Sequence, residues 1–593
     1  MLDPRLYRAA LAGVVLAVIV CAFSLSAQPA PVRTTLAPDA FTGARAAQEL
    51  DALAARFPRR RPGDAQDELL ARRIAETFRS VSEGFDVRIT RLRGETADGE
   101  RNLATVIARL AGAPGGQLVV VAHRDSLGDG ARAELSGTAV MLELARVVSG
   151  QLRRGITFAS TSGGSGGAAG ARDLAERLAG PTDAILVLGD LGSTRHDRPL
   201  VTGWSNGAGF APLRLRRTVE QAVRMEAGTS PGEPAATTQW ARLAFPFTVG
   251  EQGPLVDSGL PAVLLSASGE RGPPPGAKVD PARLRGYGRA ALRSILALDA
   301  APSISTEPER GIVTLRGKVL PAWAVRLLIG ALLVPPALVT VDGFARARRR
   351  RLPVLPWLWW VGASALPFGA AAAFAWLLGL TGLIDATPPQ PAPPAAVPFD
   401  GPARIAAIAV VLMFVLTWIA VRGPLLRRVG PRLTAPGEDE QGAVAALLLV
   451  FVGLAVVTWV ANPWAAALFV AAAHLWLLFG APELRLSRGA GLAAVVAAAV
   501  PFVLVVASGM TQLGMDPAEA LWFCLLLLAG GHAGPLLWVI WSLLAACFAL
   551  AVRLAWRGRP AVVPARPAGP PVRGPLTYAG PGSLGGTESA LRR

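Results

Sequence analysis

Apolar and polar positions divide the chain into two regimes. Through residues 40–300, short apolar runs alternate with stretches of helical spacing, whereas from Val319 onward the apolar runs are long. The run 118–122 is continuous and short, which suits a buried strand. It ends at His123, Arg124 and Asp125, and a turn containing glycine follows. From Ser136 the pattern becomes helical, with Val140, Leu144 and Val147 at spacings of four and three. Further short runs at 102–110, 156–160, 185–188 and 262–265 predict more strands. Helical spacing at 44–57, 64–78, 136–148, 168–178, 213–225 and 281–298 predicts the helices around them. Strands alternating with helices imply an α/β fold, a mostly parallel sheet with helices on both faces. In such sheets ligand crevices form at the carboxyl ends of the strands, where His123 and Asp125 stand.

The second regime predicts an all-α, multi-pass membrane domain. About seven apolar runs, near 320–341, 355–384, 403–421, 442–461, 463–480, 490–508 and 534–555, are long enough to span a bilayer. Residues 520–530 are too short to cross alone. They either lie in the interface or extend the last helix across a break at 530–535. Near the start, Arg5 and Arg8 precede an apolar run at 9–25, read as an anchor, with a signal peptide cut near Ser26-Ala27 as the alternative. Arginine clusters at 346–351, at 422–432 and from Arg553 onward follow the first, third and seventh of the later runs. The positive-inside rule then makes those loops cytoplasmic and the domain before Val319 extracytoplasmic. The expected organisation is an anchor or signal at 1–30, an external domain at 31–300, a polar linker at 301–318, and a membrane domain at 319–556. A basic Pro/Gly-rich cytoplasmic tail at 557–593, read as disordered, completes it. The external loop 385–402 is proline-rich and expected to be extended.

Composition agrees with this division. The 593 residues are 52% hydrophobic, with a mean hydropathy of +0.41, more apolar than one soluble core requires. The net charge of +17 is concentrated beside apolar runs, which points to membrane lipids rather than nucleic acid as its partner. Cys21, Cys524 and Cys547 all lie in apolar runs, so residues 31–300 contain no thiol for a disulfide. Lysine occurs only at 278 and 318, against abundant Arg and Ala, a composition typical of GC-rich bacterial genomes.

Four segments, taken in order, carry a family resemblance. They are Asn102-Leu103-Ala104; His123-Arg124-Asp125-Ser126 with Gly130-Ala131 and Ser136-Gly137; Gly189-Asp190-Leu191-Gly192; and Gly250-Glu251-Gln252-Gly253-Pro254-Leu255 with Gly259-Leu260-Pro261-Ala262. Together they resemble the zinc aminopeptidase family of aminopeptidase Y and glutamate carboxypeptidase. The resemblance implies a zinc-exopeptidase-like fold and a pair of zinc ions held by histidines and carboxylates, with a further glutamate as general base. Placed on this sequence, it assigns the first histidine to His123 and the second aspartate to Asp190, with Asp125 orienting His123. The bridging aspartate falls on Ala133, with Glu134 one place away. The paired glutamates fall on Gly164 and Ser165, and the last histidine falls on Gln252.

A catalytic zinc takes three protein donors, an open position and a base for its water. With His123 and Asp190 left as vestigial ligands, the expectation is a catalytically inactive domain that binds a peptide or protein at the outer face. No cofactor is expected, and zinc only if the site functions. A membrane-bound zinc aminopeptidase with an altered site is the alternative, and a transport or assembly role seated in the spans is a third. Ser165, in Gly163-Gly164-Ser165-Gly166-Gly167, fits G-x-S-x-G, and Asp190 and His196 follow in triad order, so it is a competing nucleophile candidate. His474 and His532 are expected at membrane depth, where ionisable groups are functional candidates. The whole layout is similar to the GPI-transamidase subunit with a luminal aminopeptidase-like domain and to membrane-bound endoplasmic-reticulum metallopeptidases. With the bacterial composition, the expected location is the plasma membrane, multi-pass, with the first domain extracytoplasmic and the C-terminus cytoplasmic.

Overall fold

The computed structural model describes residues 4–557, except 129–130, 151, 179, 195–197, 232–233, 275, 305, 308, 385–388, 432–437, 482–483 and 485. His196 and the predicted tail beyond Arg557 therefore lie outside the described residues.

Helix α1 (Pro4–Phe23) and the short strand β1 (Ser26–Ala27) precede helices α2 (Gly43–Arg56) and α3 (Ala65–Val81). Three long strands follow: β2 (Phe85–Thr96), β3 (Gly99–Leu110) and β4 (Ala113–His123). The chain then alternates through α4 (Ser136–Val148), β5 (Arg154–Thr161), α5 (Ala169–Arg177) and β6 (Thr182–Leu188). Short strands β7 (Leu200–Thr202) and β8 (Gly209–Phe210) lead to helices α6 (Leu213–Ala227), α7 (Ala236–Ala244) and α8 (Gln252–Asp257). Strand β9 (Ala262–Ser266) and helix α9 (Pro281–Ala300) close the domain.

Seven strands form one sheet in the order β2-β3-β5-β4-β6-β9-β7. Its centre, β5-β4-β6-β9, is parallel, and β2, β3 and β7 are antiparallel margins. Alternate residues of β4 face opposite sides. Leu118, Val120 and Ala122 join the core under α2, α3, α4, α6 and α9, while Val119 and Val121 pack with Ala171, Leu174, Leu255 and Val256 from α5 and α8. The expected α/β class, with helices on both faces, is the one observed.

Strand β2 was not expected. Its sequence carries Asp86, Arg88, Arg91 and Arg93, and it reads as polar because it is an edge strand with one solvated face. The region expected to be a linker is partly ordered. Strand β10 (Glu309–Arg310) pairs with β8, and β11 (Val313–Leu315) and β12 (Lys318–Leu320) form a hairpin that pairs with β1. Gln239 of α7 locks that hairpin by donating to Thr314 O at 2.8 Å and accepting from Thr314 N at 2.8 Å.

The remaining helices are α10 (Ala322–Arg349), α11 (Val354–Leu380), α12 (Gly401–Leu416), α13 (Gly423–Val429), α14 (Glu438–Ala461), α15 (Pro463–Leu475), α16 (Arg488–Leu513), α17 (Pro517–Ala529) and α18 (Pro535–Arg557). A π-helical turn, Thr417–Arg422, joins α12 to α13. Among the described residues, eight helices, α1 included, are long and apolar enough to cross a membrane, and they fall on the N-terminal run and the seven later runs. Helix α17 is separate from α18, and the side chains of Asp516 and Glu519 cap its start. Helix α1 packs on α10, with Cys21 Sγ donating to Ala324 O at 3.0 Å. His474 Nδ1 lies 2.8 Å from the Tyr7 hydroxyl of α1 and its Nε2 lies 2.9 Å from Leu332 O of α10, so this imidazole ties three helices together. His532 sits in the turn between α17 and α18 rather than in a span.

A buried ion pair pins the ends of the central strands. Arg124 and Asp67 are essentially inaccessible to solvent, with Nε and Oδ1 2.8 Å apart. Arg124 also donates to Ala104 O of β3 (2.8 Å) and to Ser160 O and Thr161 O of β5 (3.0 and 3.2 Å), and Ser162 Oγ donates to Asp67 Oδ2 at 2.7 Å. Arg124→Met would leave Asp67 buried without its counter-ion. It is expected to lower stability by about 3–5 kcal/mol, read as a shift in denaturation midpoint, and Arg124→Met with Asp67→Leu is expected to recover part of the loss.

Candidate functional site

The carboxyl ends of β4, β5, β6 and β9 point the same way because these strands are parallel. The segments that follow them enclose a cavity of about 50 Å³, with His123, Glu134, Ser165, Asp190, Glu251 and Glu270 among its walls. The sheet thus brings together His123, Asp190 and Ser165, as the sequence implied.

Asp125 is fully buried. Its carboxylate accepts the amides of Gly164 and Ser165 at 3.0 Å each and the Ser165 hydroxyl, and its Oδ1 lies 3.6 Å from His123 Nδ1. His123 Nδ1 also lies 3.2 Å from Asp125 O. Asp125 therefore fixes both the imidazole and the glycine-rich loop. Burial alone would lower the basicity of His123, but Asp125, Glu251 and Glu134 around it carry its pKa up to about 10. Burial alone would raise the Asp125 carboxyl, but His123 and the bonds from Ser165 bring it down to about 2.

The positions assigned to lost ligands are each occupied differently. Ala133 is buried in the turn before α4, and the next residue, Glu134, lines the cavity. Gln252 is buried and donates to Thr248 Oγ1 (2.8 Å), Glu270 Oε1 (3.1 Å) and Trp204 O (3.3 Å), while its neighbour Glu251 lines the cavity. At Gly164 a Cβ would fall 2.4 Å from His123 Cβ and 2.9 Å from Glu251 Cδ, so no side chain fits there without displacement. A carboxylate from another element nevertheless stands beside the position assigned to the base. Glu251, held by Thr161 Oγ1 at 2.6 Å, reaches the space above Gly164 from the start of α8. Burial pushes the Glu251 and Glu134 carboxyls upward, against the opposing charge of His123. The available signal was an acidic residue one place from two assigned positions, but a strict alignment register discards it.

Asp190 Oδ1 is engaged by the amides of Gly192 and Ser193, both at 2.9 Å, and by Ser136 Oγ at 3.2 Å. Ser165 donates its hydroxyl to Asp125, not to a histidine. The turn 162–168 also separates it from α5. The histidine of the competing triad, His196, lies outside the described residues. Among the described residues, no three His, Cys, Asp or Glu side chains form a group able to hold a metal. Asp190 Oδ1 is committed to amides, while its Oδ2 and one oxygen each of Glu134 and Glu251 stay unpartnered beside His123 among the described residues, a donor set different from the paired-zinc centre that the resemblance implies.

The region of long apolar helices forms part of this site. Gln390 Nε2, from the connection between α11 and α12, donates to Gly250 O at 2.8 Å, and Pro393 lines the cavity. Arg271 grips Glu519 of α17 through two bonds of 2.7 and 3.1 Å and reaches Gly514 O at 2.6 Å. The described part of the loop 385–402 is therefore packed, with Gln390 buried, rather than extended as expected.

Comparison with known proteins agrees with the architecture. The fold and the strand-end site have the form of a zinc-exopeptidase-type α/β domain. Residues 105–226 match the family model for Peptidase family M28. The matched segment lies within the α/β domain, and a region of long apolar helices follows that domain. No curated protein matches the chain. Similar solved structures include LapB from Legionella pneumophila, with 16% identity over 46% of this chain and 78% of that one (TM-score 0.37). BSAP, a zinc aminopeptidase from Bacillus subtilis, has 12% identity over 45% of this chain and 99% of its own (TM-score 0.35). A glutaminyl cyclase from Porphyromonas gingivalis has 17% identity over 43% and 98% (TM-score 0.31).

The His123–Asp125 pair makes stability depend on pH with a definite sign. The raised His123 contributes fully below its ordinary value of 6.5 and loses its contribution as pH climbs through about 10. The depressed Asp125 contributes above its ordinary 3.8 and loses its contribution as pH falls through about 2. Asp125→Asn is expected to return the His123 titration toward neutrality, read from imidazole proton shifts by NMR.

Proposed function

We propose that the domain at 31–300 is a peptidase-derived binding module on the outer face of a multi-pass plasma-membrane protein. It holds its ligand without the paired-zinc hydrolysis that the family resemblance implies. The observation that carries this is the close passage of Gly164 against His123, which leaves no room for a glutamate base at its assigned place. Ser165 and Gln252, at two further assigned positions, are committed to Asp125 and to Thr248 and Glu270. Arginines at the ends of α10, α13 and α18 favour a cytoplasmic side opposite this domain. The packing of α1 on α10 favours an anchor that stays in place. The layout similarity to the GPI-transamidase subunit fits a binding role, with the ligand a peptide or protein.

A second reading, an altered zinc aminopeptidase, draws support from Glu134 and Glu251, which place carboxylates beside His123 and Asp190 in one cavity. Metal analysis and turnover of aminoacyl-amide substrates by the full-length protein separate the two. Zinc well below one ion per chain and background turnover are expected. Near-stoichiometric zinc, with turnover abolished in Glu251→Gln, would establish the second reading instead.

A further inference from the structure

At the end of the apolar helices that α10, α13 and α18 reach last, two arginines share an aromatic floor. Pro424 brings no N–H and its ring crowds the carbonyl four residues earlier, and just before it the chain widens into the π-helical turn Thr417–Arg422. The turn sets the guanidinium carbon of Arg422 4.1 Å from the ring centre of Trp418 and 5.4 Å from that of Trp360 in α11. Arg553 of α18 lies 5.4 Å from the same Trp360 ring and 5.0 Å from that of Trp357. Trp357 and Trp360 are buried, and the buried Ser364 hydroxyl accepts from Arg422 Nε at 3.1 Å. That bond and the two rings fix the plane of the Arg422 guanidinium. Among the described residues its two terminal nitrogens have no hydrogen-bond partner, and no carboxylate pairs with it.

A guanidinium held in one plane with both terminal nitrogens free is a two-pronged donor that matches two oxygens of a phosphate. Depth decides where such a phosphate would come from. Arg422 stands seven residues before the end of α13, Trp360 six after the start of α11, and Arg553 four before the end of α18. At about 1.5 Å per residue, all three lie within roughly 11 Å of the same end of the helices. An arginine that stretches outward from there carries its charge to the level of lipid phosphates. Arg348, Arg349, Arg427 and Arg428 stand at that end too, a rim that repels a cationic choline and draws a headgroup of net negative charge. Beside the site, Ile408, Val411, Leu412 and Ile419 are each at least 59% exposed, which gives α12 and the turn an apolar face for acyl chains.

We propose that Arg422, held by Trp360, Trp418 and Ser364, binds the phosphate of an anionic phospholipid whose acyl chains run along α12. The site belongs to the helices rather than to the crevice, so it goes beyond the binding-module reading and does not depend on it. The test is native mass spectrometry of the full-length protein, released from detergent micelles that contain equal amounts of phosphatidylglycerol and phosphatidylcholine. A phosphatidylglycerol adduct is expected, with phosphatidylcholine bound more weakly. Arg422→Gln removes the two-pronged contact and is expected to weaken phosphatidylglycerol binding by about tenfold or more. Arg422→Lys keeps the charge without the fork and is expected to lose part of that affinity. Arg348→Gln combined with Arg349→Gln thins the exposed rim and is expected to weaken binding by a smaller factor than Arg422→Gln. Equal binding of the two lipids, an Arg422→Gln protein that binds like the original, or a rim variant that loses as much as Arg422→Gln would overturn the proposal. If Arg422→Gln fails to fold, Arg422→Lys decides in its place, and undiminished binding by that variant overturns the proposal.

Discussion

The buried Arg124–Asp67 pair is the interaction on which the site geometry depends. Two ions with almost no solvent access survive in a protein interior only when their remaining hydrogen-bonding capacity is filled. Here the guanidinium fills its own by binding carbonyls of β3 and β5, and the carboxylate accepts from the first residue of the glycine-rich loop. One cation thereby fixes the relative height of two strands and the start of the loop between β5 and α5. His123 and Asp125, its immediate neighbours in sequence, inherit their positions from it.

Beyond that anchor, the cavity is a strand-end crevice lined by His123 and several carboxylates. The backbone at Gly164 runs so close to His123 that the assigned position cannot carry a side chain, and Glu251 reaches the vacated space from another element. Glu134 does the same beside Ala133. The crevice is thus acidic. Metal coordination depends on donors converging at fixed distances, so which carboxylates face the crevice decides what it can hold.

The apolar helices take part in the site as well as anchoring it. Gln390 and Pro393 reach the cavity from the connection between α11 and α12, and Arg271 joins the rim of the cavity to α17. Helix α17 is too short to cross a membrane, and its capping pair, Asp516 and Glu519, puts the same Glu519 in reach of Arg271. A displacement of α17 would be felt directly at the loop that carries Glu270.

The sequence by itself determined the two regimes, the positions of the central strands and most helices, the apolar helices, and the placing of His123 and Asp190 at strand ends. Each of these follows from local periodicity or run length, which a linear pattern records. It did not disclose β2, whose charged face suits an edge, or the hairpin that orders the supposed linker, because strand pairing depends on partners distant in the chain. Nor did it disclose Glu251. Whether residue 251 or 252 faces the crevice is decided by how α8 begins and by the space above Gly164, and both are properties of the packed fold. Tertiary structure alone decided which carboxylates share the cavity, since residues more than 100 positions apart meet there only after the parallel strands have aligned their ends.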